Sequence, residues 1–250
     1  RGIAHRVSDW HYRRADRLIA MSEGLRQRLV ERTGKPDAQV AVIPQYCEDF
    51  YAIPQPDEAL NAQFAGRFNL VFTGNFSPAQ SLETVIRAAV QAHRQGADRL
   101  HLLLVGDGMS RPALETLVDE LNARDVVTFY GSVPPTRIPA FTALADALVV
   151  SLSDSPDLGL TVPAKVASYM AAAKPLLASM DGEGRAAVEQ AGCGWASAAC
   201  DVDALAQNMQ AACSVGMAER AALGERAFAY YRAHYRRREL LTRLEEFILG

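Results

Sequence analysis

Between Pro156 and Ser168 the sequence places a cation where a helix disfavours one. The run Pro156-Asp157-Leu158-Gly159-Leu160-Thr161-Val162-Pro163-Ala164-Lys165 follows an apolar stretch and leads into helical patterning. Pro163 suits the first helical position, where a missing N–H costs nothing. The amides that follow have no intrahelical acceptor, and the helix dipole adds partial positive charge, so the turn is an anion site. Lys165 in that first turn opposes the dipole; an anionic ligand would explain it where local helix energetics do not. Ser168 lies three residues on and shares its face, which brings a hydroxyl to the same place. Thr161, in the turn itself, is carried with them as a candidate contact. The structural alternative is a solvent-facing lysine and a serine inside a helix.

Four other turns follow apolar runs. In Gly74-Asn75-Phe76-Ser77-Pro78-Ala79-Gln80-Ser81, Gly74 permits close backbone approach, and Asn75 and Gln80 offer neutral donors for phosphate or sugar oxygens. A plain loop with Ser81 capping the next helix reads equally well. Gly106-Asp107-Gly108 has two glycines of a dinucleotide loop, but Arg111 occupies the third position. Tight-turn chemistry explains it as well, and Asp107 is a weaker candidate. Tyr130-Gly131-Ser132-Val133 could present backbone to a base edge, with Tyr130 near the ring, or be a turn ended by Pro134. Glu183, between Gly182 and Gly184, could face a ligand or only compensate a helix start. The cysteines Cys47, Cys193, Cys200 and Cys213 lack C-x-x-C spacing, and the histidines lack paired-ligand spacing. Structural thiols in a reducing compartment, no protein-bound metal and no cofactor are therefore expected.

The elements that must position these turns alternate along the chain. Strand-like runs are read at 18–21, 40–43, 69–73, 100–105, 126–130, 147–151 and 175–179, with a short one near Trp195. Helical patterns are read at 22–32, 81–95, 111–122, 137–145, 163–172, 184–191 and 202–214, and then from 219 to 249 with a break near Gly224 or His234. Residues 44–66, with Pro54 and Pro56, read as a linker. Near-continuous apolar runs such as Leu102-Leu103-Leu104-Val105 suit strands buried on both faces. The expected fold is α/β, a doubly wound, Rossmann-like parallel sheet over about residues 55 to 215, with ligands bound beyond the strand carboxyl ends.

Composition is that of a globular protein. Net charge is −3 over 250 residues and 49% are hydrophobic, which gives no footprint of a nucleic-acid binder. No apolar run nears the ~18 residues of a membrane span. The chain opens Arg1-Gly2-Ile3 with helical patterning under way and no leader pattern, so sequence upstream is expected.

Several segments recur together in one family. They are Ala15-Asp16-Arg17-Leu18-Ile19-Ala20-Met21-Ser22, Val42-Ile43-Pro44-Gln45-Tyr46-Cys47-Glu48-Asp49-Phe50-Tyr51, Phe72-Thr73-Gly74-Asn75 with Gln80, Val105-Gly106-Asp107-Gly108, Pro163-Ala164-Lys165 with Ser168-Tyr169, Ala172-Ala173-Lys174-Pro175 and Gly182-Glu183-Gly184. In order and spacing the chain resembles the C-terminal portion of retaining glycosyltransferases of the GT-B fold, family 4. It is most similar to the bacterial branch that transfers fucosamine-type sugars in O-antigen or capsule assembly. The resemblance implies that residues 1–53 are the tail of an N-terminal acceptor-side domain and a connector. It implies a nucleotide-sugar-binding domain at 54–218 and a closing helix at 219–250, with most of the N-terminal domain missing.

The resemblance further implies a nucleoside diphosphate sugar donor, UDP-linked by preference, and a lipid-linked or saccharide acceptor. The protein would be cytoplasmic, with peripheral contact on the inner face of the cell membrane. Donor contacts would come from Gly74, Asn75, Gln80, Asp107, Tyr130, Ser132, Val133, Thr161, Lys165, Ser168 and Glu183. The chain departs from the family where two glutamates usually stand, having Leu160 and Ser168. Asn75 and Gln80 stand where many members have Arg and Lys. Ser168 would make a shorter contact to the ribose, and no catalytic base or nucleophile is assigned. A nucleotide-sugar-binding module without turnover and a sugar-nucleotide 2-epimerase of the same fold remain alternatives. The arginines of the last helix, Arg232, Arg236, Arg237, Arg238 and Arg243, could lie on an anionic membrane surface, but Glu239, Glu245 and Glu246 dilute them and a solvated face is the favoured reading.

Overall fold

A computed structural model describes residues 3–250, with side chains from Arg6 onward. The first two residues of the expected 1–53 segment lie outside it. The chain begins with helix α1 (Ile3–Arg14), strand β1 (Leu18–Ala20), helix α2 (Glu23–Thr33) and strand β2 (Val40–Val42). β1 and β2 pair in parallel, Leu18 opposite Val40. Ser22 caps α2 as expected, its Oγ accepting from the Leu25 N–H at 3.2 Å.

The stretch read as a linker is not structureless. It carries a helical turn at Asp49–Ala52 and a short helix α3 (Glu58–Gln63). Asp57 starts α3 by accepting from the Leu60 N–H at 3.0 Å. Leu60 and Phe64 bury themselves against the main sheet, which holds a helix too short to show a periodic pattern.

The main domain alternates strand and helix, with two helices in succession between β6 and β7: β3 (Phe68–Thr73), α4 (Leu82–Arg94), β4 (Leu100–Val105), α5 (Arg111–Glu120), β5 (Val127–Gly131), α6 (Ile138–Leu144), β6 (Ala147–Ser151), α7 (Pro156–Gly159), α8 (Ala164–Ala171), β7 (Leu176–Ser179), α9 (Gly182–Ala191), β8 (Gly194–Ser197) and α10 (Val202–Ser214). All six strands are parallel, in the order β5-β4-β3-β6-β7-β8. The apolar runs are buried on both faces because alternate residues feed two cores. Leu70, Phe72, Leu102 and Leu104 pack with α4, α5 and α10. Val71, Leu103 and Val105 pack with α6, α8 and α9. The strand order reverses between β3 and β6, so the turns that leave those strands part and open a crevice.

Helix α11 (Met217–His234) returns over α8, burying Ala227 and Tyr231. The chain then breaks at Tyr235–Arg236 before helix α12 (Arg237–Leu249), the break expected near His234. Gly224 does not break α11. A Cβ there would lie 2.1 Å from the Ala173 carbonyl, so the glycine serves close helix packing.

His101 sits early in β4, away from the crevice. Its ring lies between Asn69 Oδ1 at 3.2 Å and Thr128 Oγ1 at 2.9 Å and stacks on Phe64. Burial first, and Arg67 second, lower its pKa to about 4 from 6.5. The folded chain thus resists a proton that the unfolded chain accepts. Stability is full above pH 6.5 and falls as pH drops toward 4. Acidification from pH 7 to pH 5 should cost about 2 kcal/mol through this residue. Urea denaturation at both pH values tests it, with His101→Gln expected to lose that share of the dependence.

Candidate functional site

Backbone hydrogen bonds tie the three turns leaving β3, β4 and β5 into one rim. The Gly74 N–H donates to the Val105 carbonyl at 2.8 Å, and the Gly106 N–H donates to the Gly131 carbonyl at 2.9 Å. The Phe76 N–H donates to the Asp107 carbonyl at 2.8 Å. Contacts this close require glycine. A Cβ on Gly106, at φ +138°, would lie 1.9 Å from the Gly74 carbonyl oxygen. Tyr169, fully buried on α8, accepts from the Thr73 N–H at 2.8 Å and fixes the last residue of β3. On the far side of the crevice, the Ser151 hydroxyl donates to the Gln80 carbonyl, and the Ser153 N–H donates to that of Ala79 at 2.9 Å. The turn carrying Gly74 and Gln80 is therefore held at both ends.

Lys165 crosses this crevice. Pro163 sits just before α8 as its cap residue rather than as its first helical position, because its ψ is 138°. Ala164 and Lys165 therefore open the helix, and their amides lack intrahelical acceptors. The Lys165 side chain leaves α8, passes Gly74 and ends 3.9 Å from the centroid of the Phe72 ring, which belongs to the opposite core. Its Nζ donates to Gln80 Oε1. Only a glycine leaves room for this path, since a Cβ on Gly74 would lie 2.7 Å from Lys165 Cε. Burial lowers the lysine pKa to about 7, with no neighbouring charge contributing. The amine is thus buried beside a neutral amide and an aromatic face, where an anion would compensate it.

A cleft of about 800 Å³ opens from this point. It is lined by Thr73, Gly74, Val133, Lys165 and Ser168 of the main domain together with Gln45, Tyr46 and Tyr51 of the connector and leucines of α12. The Ser168 hydroxyl donates to the Lys165 carbonyl at 3.1 Å and remains on the lining, on the same helix face as Lys165. Asn75, Asp107, Ser132 and Val133 line an adjoining recess of about 260 Å³. Within it Asp107 is committed to the rim, accepting from the Gly108 N–H at 2.7 Å and from Arg111 at 3.2 Å.

Three sequence candidates stand apart from the cleft lining. The Thr161 hydroxyl donates to the Leu158 carbonyl at 2.8 Å, completing the last turn of α7. Tyr130 packs edge-on against Phe141 at 4.6 Å between centroids, with its ring otherwise exposed. Glu183 accepts from the Gly24 N–H of α2 at 2.7 Å. There it meets an unpaired amide of a helix start in space, in place of its own helix or a ligand. Beside it Ser22 donates to the Leu160 carbonyl and Arg28 pairs with Asp157, so α2 is latched to the turn that precedes Lys165. Ser81 occupies the start of α4 in a left-handed conformation, and its hydroxyl meets Thr84 Oγ1 at 2.9 Å rather than a backbone amide.

Phe72, Tyr169 and the connector residues Gln45, Tyr46 and Tyr51 stand in segments that carry the family resemblance, but the sequence gives them no site role. Phe72 reads as one more apolar strand residue. Only strand parity, with Gly74 two positions on, hints that it lies under the crevice.

Residues 67–214 match the family described as glycosyl transferases group 1. A probable glycosyltransferase of Pseudomonas aeruginosa, WbjE, is 25% identical over 225 residues, covering 86% of this chain and 54% of that protein. The lipopolysaccharide core biosynthesis glycosyltransferase LpsD of Rhizobium meliloti is 30% identical over 146 residues, 58% of this chain and 40% of its own length. The chain thus spans about half the length, or less, of these relatives. In structure it is similar to Anabaena HepE solved with UDP and glucose, with a TM-score of 0.82 at 19% identity over 98% of this chain and 66% of that one. The shared architecture is the parallel six-stranded α/β sheet of GT-B glycosyltransferases. With its matched region covering the whole β3–α10 domain, the chain belongs to the glycosyl transferases group 1 family.

Proposed function

We propose that this chain is the donor-binding half of a retaining, family-4 type glycosyltransferase that uses a nucleoside diphosphate sugar, with UDP as the favoured carrier. The acceptor would be lipid-linked or a saccharide in surface polysaccharide assembly, met from the acceptor-side domain. Lys165 carries this reading, because a buried amine at a helix start has no anionic partner among the described residues. In glycosyl transfer the negative charge develops on the departing diphosphate, and preorganised donors aimed there lower the barrier. The Ala164 and Lys165 amides and Lys165 Nζ supply such donors. Ser168 lies one turn along for the ribose, and Val133 lies at the recess for the base. That HepE was solved with UDP, and that LpsD is named for lipopolysaccharide core synthesis, supports the carrier and the pathway class. The epimerase alternative finds little support. The described cleft lining holds no histidine, and its carboxylate, Glu48, is paired with Arg237 at 3.1 Å.

Thermal unfolding with UDP, GDP and dTDP tests the donor class. A ligand of the native state alone should stabilise by about 2.7 kcal/mol at about 100 times its Kd. UDP is expected to raise the melting temperature most. Absence of a shift with all three would overturn the reading.

A further inference from the structure

Ser151 ends an apolar strand with a hydroxyl. β6 reads Ala147-Leu148-Val149-Val150-Ser151, and Ser151 is 0% exposed. A hydroxyl so placed costs free energy unless it is hydrogen-bonded. Its partner lies on neither β6 nor β7. The hydroxyl donates across the strand reversal to the Gln80 carbonyl, on the turn that leaves β3.

The Gln80 carbonyl has no backbone donor of its own. The turn Pro78–Gln80 ends at Ser81, whose φ of +43° and ψ of 44° are left-handed. That kink takes the Gln80 carbonyl out of α4. The Thr84 N–H, which would reach it in a continuous helix, donates to the Ser81 carbonyl at 3.1 Å instead. From the same residue the side chain reaches α8. Gln80 Oε1 accepts from Lys165 Nζ, and that amine has no other hydrogen-bond acceptor among the described residues. A lysine ammonium only donates, so the bond also fixes which end of the amide faces it. Gln80 thus has its main chain held from β6 and its side chain set against Lys165.

We propose that Ser151 is a positioning residue for the donor site: by fixing the Gln80 main chain across the strand reversal, its hydroxyl sets the Gln80 amide that holds the Lys165 amine in place. The proposal rests on the reading of Lys165 as the diphosphate ligand. Ser151 is not among the residues that line the cleft, and it acts through Gln80. Ser179 separates this role from plain packing. It ends β7 opposite Ser151, is 1% exposed, and donates to the Ala198 carbonyl at 3.4 Å. Ser179→Ala therefore removes an equally buried hydroxyl that has no bond to Gln80.

Calorimetry with UDP is run on the parent, Ser151→Ala, Gln80→Ala, the double variant and Ser179→Ala, beside their melting temperatures. Ser151→Ala and Gln80→Ala should each weaken binding about tenfold. The double variant should lose no more than Gln80→Ala alone, because residues that act in series are not additive. Ser151→Cys, close in volume but a weak donor, should repeat the Ser151→Ala loss. Ser179→Ala should bind like the parent. A second measurement reads the amine without a nucleotide. The chain's lysines are Lys35, Lys165 and Lys174, so competitive acetylation with acetic anhydride over a pH series, resolved by peptide mass, titrates each. A hydrogen bond to the charged amine favours that form. Ser151→Ala and Gln80→Ala should therefore both lower the Lys165 midpoint and leave that of Lys35 unmoved. If the parent failed to bind UDP, the donor reading would fall, and the titration would still decide whether Ser151 places the amine. Losses that add in the double variant, a Ser179→Ala loss as large as that of Ser151→Ala, or an unmoved Lys165 midpoint in Ser151→Ala would each overturn the proposal.

Discussion

Lys165→Met abolishes most of the affinity for a UDP donor and makes the ligand-free protein more stable: this is the paired result expected from a buried amine kept for an anion. The affinity loss should be well over tenfold, since a hydrogen bond to a charged group is worth about 1.5–3 kcal/mol. The stability gain follows from the cost of holding the amine away from water. Its pKa lies near 7 in the folded chain against 10.5 without burial. Below pH 7 the amine is charged in both states, and the folded state bears the whole cost; above 10.5 it is neutral in both, and the cost vanishes. At neutral pH removing the amine should therefore stabilise the free protein by about 2–4 kcal/mol. Methionine keeps the length of the chain past Gly74 and places sulfur against Phe72. Lys165→Arg should not rescue binding, because a planar guanidinium does not fit the passage that Gly74 leaves for a lysine stem. A bound diphosphate would raise the lysine pKa again, so binding near pH 8 takes up a proton and weakens as pH rises above 7. Calorimetry in buffers of different ionisation enthalpy, alongside urea denaturation of the free protein, measures both halves. Unchanged affinity in Lys165→Met would remove Lys165 from the site.

Lys165 was legible in the sequence because its charge has the wrong sign for a helix start, a conflict that can be seen without coordinates. Phe72 and Gln80, which hold the amine, were not legible as its partners. They lie on a different strand and turn, and only the strand order brings them across the crevice. The six strands of the main sheet were legible for the same reason that they are stable: near-continuous apolar runs leave few choices other than a sheet covered on both faces. Helix α3 was lost because six residues between prolines and a glycine carry no period. Glu183 misdirected the reading for a subtler reason. Flanking glycines present it at a helix start, but the amide it meets is that of Gly24, 159 residues earlier in the chain. Local pattern marks a group as available and leaves open which distant element uses it.

The glycines of the rim make the second strong test, because two neighbouring substitutions should fail differently. Gly106→Ala puts a methyl group 1.9 Å from the backbone oxygen of Gly74, at a φ of +138° that a side chain rarely adopts. Backbone cannot turn aside as a side chain can. The turns after β3 and β4 must separate, and the bond from the Gly74 N–H to the Val105 carbonyl goes with them. Strain of about 1–3 kcal/mol and a lost buried hydrogen bond of about 1 kcal/mol add to the clash. A total near 3–5 kcal/mol is expected, with donor binding lost through the same movement. Gly74→Ala meets only the lysine stem, 2.7 Å from Cε, which can swing away. It should cost stability little more than its backbone strain, about 1–3 kcal/mol, and still lose donor affinity because Lys165 is displaced. Gly66→Ala is the control. Its φ is +77° but nothing lies within 4 Å, and it precedes β3 at the end of the sheet away from the cleft. It should lose about 1–2 kcal/mol and bind UDP normally. Chemical denaturation and calorimetry on the three variants separate the contributions. If Gly74→Ala bound UDP like the parent while Gly106→Ala did not, the rim would be a structural seam alone, and the passage of Lys165 past Gly74 would have no part in holding the donor.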